Sequence, residues 1–164
     1  MPSLIGVSMP SIGLLATNGK IINPSKCDST TVLFFYPYTG KPGQPDPAGW
    51  DDIPGAHGST PQALAFSKAC LEFENLNVKI FGVSFQATDW QKEFVTRHGL
   101  RFPLLSDYEC RLSAALDLET FRAGHQDYLV RRTIVVSDGI ITQDFYPVPR
   151  PEHNATDVLK ALQS

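Results

Sequence analysis

No run of apolar residues in this chain of 164 approaches the roughly 20 that cross a bilayer, which excludes a membrane-spanning helix. The first residues, Met1-Pro2-Ser3-Leu4, carry neither a charged n-region nor a long apolar stretch, so no leader is read and a cytoplasmic location is expected. Positive charge is not in excess either: 14 Lys and Arg stand against 17 Asp and Glu, a formal charge of -3. Without a basic face, nucleic acid is not an expected partner. Cysteine is scarce and unpaired in pattern. Cys27, Cys70 and Cys110 form an odd set with no C-x-x-C pair, which argues against a disulfide framework and against a zinc site. They are expected to be reduced thiols, buried or partly exposed, since free cysteine packs as a small hydrophobe, and neither metal nor cofactor is expected. Internal repeats, charge blocks and low-complexity tails are also missing. What remains is 42% hydrophobic and 19% charged residues, the balance of a globular protein, in a length that fits one domain over residues 1–164 with a single core.

The elements follow from hydrophobic period and turn signals. Asn18-Gly19 lies between two short apolar runs and predicts an N-terminal β-hairpin with a two-residue loop. Residues 31–36, Thr-Val-Leu-Phe-Phe-Tyr, are apolar on both faces and stop at Pro37, as a central strand does. Residues 37–58 carry five prolines and are too broken for a regular element, and long loops of this kind tend to be functional. Ser59-Thr60-Pro61-Gln62 then reads as a helix start, with Ser59 as a hydroxyl cap and apolar residues at helical spacing to Leu76. A strand over 78–85, a helix capped by Thr88 or Asp89 and stopped at Gly99, a short strand over 102–105 and a short helix over 109–116 come next. Residues 131–137 and 140–146 form a hairpin turning at Asp138-Gly139, and 156–162 close the chain as a helix. This order predicts an α/β fold, a mixed central sheet flanked by helices with an N-terminal β-hairpin, the arrangement of a thioredoxin-like domain.

At Phe34-Phe35-Tyr36-Pro37, and again at Gly58-Ser59-Thr60-Pro61-Gln62-Ala63, the sequence resembles the peroxiredoxins, in particular their bacterioferritin-comigratory or Q-type branch. The similarity continues through residues 80–84, 102–107 and 131–136, and so covers most of the chain. In that family the run after the loop reads Gly-Cys-Thr-Pro-Gln-Ala, and its cysteine attacks the peroxide. The resemblance therefore implies a thiol-dependent peroxidase for hydrogen peroxide or organic hydroperoxides, with Ser59 at the peroxidatic cysteine position. It further implies Arg131 as the active-site arginine and Pro37 as the family's site proline. The implied partners are a hydroperoxide and an external thiol reductant such as a thioredoxin or glutathione system, and the implied assembly is a monomer or a homodimer. A cysteine at a helix N-terminus beside an arginine is held as thiolate, the reactive form. Serine ionises far above neutrality and does not enter the reversible sulfur oxidation ladder, so the chain as written is expected to be inactive.

Two accounts of Ser59 compete: an engineered cysteine-to-serine change that holds the site in a reduced-like shape, or a natural, redox-silent relative acting as a binding or scaffold protein. The intact run around it, with Gly58, Thr60-Pro61-Gln62 and Arg131, favours the first. Other departures are plain. The family's proline seven residues before the nucleophile and its threonine three before are here Asp52 and Ala56, and the common resolving-cysteine position five residues after is Leu64. Cys70 is read on the core side of its helix, which leaves a one-cysteine mechanism with an external reductant. His57 is read as a solvated loop residue, and Trp50 and Trp90 as packing residues. A serine-hydrolase reading of Ser59 and His57 fails locally, because Pro61 fills the second glycine of a Gly-x-Ser-x-Gly elbow.

Overall fold

A computed structural model describes residues 2–164. The chain runs β1 (Leu14–Ala16), β2 (Ile21–Ile22), β3 (Thr30–Phe35), α1 (Ser59–Lys68), α2 (Cys70–Asn75), β4 (Val78–Ser84), α3 (Thr88–His98) and β5 (Leu104–Ser106). It continues through α4 (Arg111–Ala115), β6 (Thr120–Ala123), β7 (Gln126–Leu129), β8 (Arg132–Ser137), β9 (Ile140–Phe145) and α5 (Pro151–Gln163). Seven strands form one sheet in the order β2-β1-β5-β4-β3-β8-β9, with β3, β4 and β5 parallel and the others antiparallel to their neighbours. Among the described residues, no helix is long and apolar enough to cross a membrane.

The pleat of the central strands sorts the core into two layers. Val32 and Phe34 of β3 face α1 and α5 with Phe66, Ala155 and Val158, whereas Leu33 and Phe35 face the opposite layer with Leu112, Leu129 and Ile134. Each such buried side chain contributes about 1.5–3 kcal/mol of transfer free energy. The first layer has little slack. Phe34 stacks on Phe66 at 4.7 Å between ring centroids, and a Cβ on Gly82 would lie 2.6 Å from Phe34 Cζ and 2.7 Å from Leu104 Cδ2. Gly82→Ala is therefore expected to lower stability by about 1–3 kcal/mol through overpacking, read as a shifted urea midpoint with unchanged slope.

Several local expectations are corrected. The N-terminal hairpin has a three-residue loop, Thr17-Asn18-Gly19, closed by the Ala16 N–H donating to the Lys20 carbonyl at 2.8 Å, with Gly19 at φ +86°. The left-handed glycine is thus used at the third loop position. Ser59 does not cap α1: Gly58 is the N-cap residue and Ser59 the first residue of the helix. The cap of α3 is Ala87, ahead of both Thr88 and Asp89. The helix read through Leu76 breaks at Ala69 into α1 and α2, and the short strand β5 begins at Leu104. α5 starts at Pro151, five residues before the expected start, because proline fits the first turn of a helix, where its missing N–H has no partner to lose. The β6–β7 hairpin was not expected. Its turn, Gly124-His125, has φ +53° and +73°.

Candidate active site

Topology decides where the loop and its helix arrive. β3 and β8 are antiparallel with Phe35 opposite Arg132, so the last residue of β3 lies beside the start of β8. Tyr36 and Pro37 are buried where the loop leaves the sheet, and Arg131 immediately precedes β8 at the same sheet end. Residues remote in sequence are thereby set side by side.

The loop over residues 37–58 is anchored by aromatic packing on the β6–β7 hairpin. Trp50, 4% exposed, lies 5.1 Å from Tyr128, 5.3 Å from Tyr38 and 5.6 Å from Phe121, ring centroid to ring centroid. This is the packing role expected for Trp50. Trp90 is half-buried and does more, donating from Nε1 to the Thr39 carbonyl at 2.6 Å and so tying the loop to α3. At the far end of the loop Gly58 takes φ +114°, and a Cβ there would lie 2.8 Å from Pro151 Cγ. Only glycine lets the chain turn there against α5.

That turn delivers Ser59, 4% exposed, to the first position of α1, where backbone N–H groups are without helical partners. Arg131, also 4% exposed, donates from Nη1 to Ser59 Oγ at 3.2 Å and to Gln62 Oε1 at 2.7 Å. Its Nη2 donates to the carbonyls of His57 at 3.1 Å and Gly55 at 3.3 Å. Gln62 continues the chain, donating from Nε2 to Asn154 Oδ1 at 3.0 Å, which also accepts from Thr133 Oγ1 at 2.7 Å. The arginine is fixed by this network, yet no carboxylate lies within ion-pair distance of it among the described residues. Burial pulls its pKa down to about 10, with Glu152 opposing the shift, so the guanidinium stays charged at neutral pH.

Gln62 and Asn154 are the site residues that sequence reading missed. Gln62 stands three residues after Ser59, on the same face of the helix, and that spacing was the available signal. Asn154 was hidden by the late start assigned to α5. Pro37 is buried at the base of the loop and takes no part in hydrogen bonds to Ser59 or Arg131. Thr39 sends its N–H and hydroxyl to Gln86 Oε1, both at 3.1 Å, and so does not replace the missing loop threonine.

An open cleft of about 360 Å³ lies over Ser59, walled by Tyr38, Asp46, Trp50, His57 and Thr60. The His57 imidazole meets Asp51 Oδ1 at 2.6 Å rather than Ser59, so no hydrolase dyad forms. Asp46, Asp51 and His57 bring one donor atom each within 4.8 Å of the others, but all three are exposed and the His57–Asp51 contact accounts for their proximity. The thiols lie elsewhere. Cys27 is half-buried with Sγ toward the Asn23 carbonyl, and Cys70 is buried with Sγ toward Glu74 and the Arg101 carbonyl. Burial, then Glu74, push the Cys70 thiol up, and burial, then Asp107 and Asp127, do the same for Cys110. Neither is tuned as a thiolate.

A thioredoxin-like sheet that presents one helix-start side chain to a buried arginine is the framework of a peroxiredoxin-type domain. The chain belongs to the Redoxin family, which matches residues 4–161. It is 26% identical over 164 residues to the chloroplastic peroxiredoxin Q of Oryza sativa subsp. japonica, with 97% of this chain and 66% of that protein covered. The chain thus spans just under two thirds of the length of the first curated relatives it matches. Among solved structures it is similar to a cysteine-to-serine variant of Xylella fastidiosa PrxQ, with TM-score 0.78, 23% identity and 97% and 94% of the two chains covered. It is also similar to the Xanthomonas campestris bacterioferritin comigratory protein, with TM-score 0.76, 25% identity and 96% and 97% covered. These relatives support a Q-type peroxiredoxin.

Proposed function

We propose that position 59 is the reacting position of a thiol-dependent peroxidase site for hydrogen peroxide or organic hydroperoxides, and that serine there holds the site reduced-like and inactive. The observation that carries the reading is the 3.2 Å contact from Arg131 to Ser59 Oγ at the first residue of α1. The Xanthomonas relative, named for alkyl peroxide reduction, supports the substrate class.

With sulfur at this position, thiolate attacks the terminal oxygen of the hydroperoxide. A sulfur–oxygen bond forms, the O–O bond breaks, and alkoxide or hydroxide leaves and takes a proton, while the thiol is oxidised to sulfenic acid. Arg131 and the first-turn N–H groups face the place where charge develops on oxygen. An external dithiol then attacks the sulfenic sulfur, releases water and closes its own disulfide, in a cytoplasmic setting where thiols stay reduced. Cys27, Cys70 and Cys110 are unpaired and engaged away from Ser59, which supports an external reductant.

The test is Ser59→Cys, assayed for hydroperoxide consumption with a dithiol reductant; no gain over the Ser59 chain ends the reading. Within the Ser59→Cys chain, Arg131→Gln is expected to lower kcat/KM by about 10²-fold, the usual effect of losing one well-placed donor at a reacting oxygen. Equal rates with and without the arginine would show that the thiol reacts as an ordinary surface cysteine.

A further inference from the structure

A guanidinium can only donate hydrogen bonds, so whatever faces Arg131 Nη1 must accept them. Ser59 Oγ and Gln62 Oε1 do so, the second at 2.7 Å. The Gln62 side chain carries an acceptor and a donor on one planar amide, and turned over it would aim its NH2 group at the guanidinium. Two donors would then face each other in a buried place, which is costly. What keeps the amide the right way round is Asn154, the fourth residue of α5, whose Oδ1 accepts from Gln62 Nε2 at 3.0 Å. Asn154 carries the same ambiguity and is fixed in its turn, because Thr133 Oγ1 donates to that same Oδ1 at 2.7 Å. Gln62, Thr133 and Asn154 are all buried, so solvent supplies no substitute partner. α5 meets the site a second time where Pro151 lies against the Gly58 turn.

We propose that Asn154 is a positioning residue for the reacting position: it makes no hydrogen bond to residue 59, and through the Gln62 amide it keeps the Arg131 guanidinium aimed there. Without the Asn154 acceptor nothing orients the Gln62 amide, and Arg131 loses its shortest hydrogen bond. The guanidinium then relaxes toward the loop carbonyls of Gly55, Ala56 and His57 that its Nη2 already meets. The inference rests on the reading of position 59 as the reacting position. It adds that α5, nearly a hundred positions away in sequence, helps to set the chemistry there.

The experiment takes the Ser59→Cys chain and measures the alkylation rate of its new thiol by iodoacetamide across pH, by mass spectrometry of the peptide that carries residue 59, with peroxide turnover beside it. Asn154→Leu should move the alkylation profile to higher pH, because a displaced guanidinium no longer favours the thiolate, and should lower kcat/KM by about 10- to 10²-fold. The other charged and titratable groups around position 59 and Arg131, which are Asp46 and His57 of the loop and Glu152 of α5, stay unchanged in that variant. A cycle with Arg131→Gln separates positioning from general loosening: with the arginine gone, Asn154→Leu should cost no further activity. If Asn154→Leu does not fold, Thr133→Val, of nearly the same shape, removes the hydroxyl that fixes Asn154 and should move the profile in the same direction. An unmoved profile in the folded variant, or equal losses with and without Arg131, would overturn the proposal. The two readings fail separately. An active Ser59→Cys chain whose profile does not respond to Asn154→Leu removes only this inference, and an inactive one whose profile does respond removes only the peroxidase reading.

Discussion

Ser59→Cys should raise peroxide turnover at least about 10³-fold in kcat/KM over the Ser59 chain, equivalent to about 4 kcal/mol of barrier. The side-chain volume barely changes, and the frame around position 59 is already set: Gly58 turning against Pro151, Arg131 held by five neutral oxygens, Gln62 braced on Asn154. A thiol placed there meets the helix start and a guanidinium 3.2 Å from the present Oγ, both of which favour thiolate. Its pKa should fall below the ordinary cysteine value, read as thiolate absorbance persisting at mildly acid pH. The sign follows for stability as well. A thiol with a lowered folded pKa stabilises the fold above its unfolded pKa, and that contribution is lost as pH falls through the folded value. A fast chain with an unshifted thiol would mean that the arginine works on peroxide alone.

Asp144→Asn should cost about 3–5 kcal/mol of unfolding free energy. Arg132 and Asp144 are 2% and 5% exposed and meet twice, Nε to Oδ1 at 2.8 Å and Nη2 to Oδ2 at 2.6 Å. Asp144 Oδ2 also accepts the Leu4 N–H at 2.8 Å, and Arg132 Nη2 reaches the Pro2 carbonyl at 3.1 Å, so the pair fastens the N-terminal segment to β8 and β9. Removing the charge leaves a guanidinium buried and unpaired. Burial alone would raise the Asp144 pKa, but the Arg132 hydrogen bonds, the Leu4 N–H and the Arg132 charge together bring it below the usual value. The carboxylate's contribution is therefore complete above the unfolded pKa of about 4 and is lost as pH falls through the lower folded value. Urea unfolding across that range should show a steep acid limb in the parent chain and a flatter one in Asp144→Asn; parallel limbs would assign the acid sensitivity elsewhere.

The sheet, its parallel centre and the β8–β9 hairpin were legible because residues 32–36, 80–83 and 134–136 form apolar runs and Asp138-Gly139 is an unmistakable turn. The juxtaposition of Ser59 and Arg131 came from resemblance and not from periodicity. What stayed hidden was whatever tertiary packing decides. Thr120 to Leu129 has no strong strand signal, and it forms a hairpin because Ala123 and Tyr128 cover Trp50 and Ala56. Gln62 read as a helix-start residue: its spacing put it on the face of Ser59, but the full burial of its amide against an arginine 69 positions away is decided by tertiary packing. Ser59 read as a cap by residue type, whereas the left-handed Gly58 takes that position and moves the serine into the helix.

Arg131 and Arg132 show how narrow the margin is. Successive side chains at the start of β8 lie on opposite faces, and the chain commits one cation to each: the first beneath Ser59 beside Thr133 and Asn154, the second against Asp144. The site therefore depends on parity. A slip of β8 by one step along β3 would turn each guanidinium to the opposite face of the sheet and break the contacts that both now make. Because Asp144 holds its arginine on the face away from Ser59, the lock on the N-terminal segment also acts as a proofreader for the guanidinium beneath the start of α1.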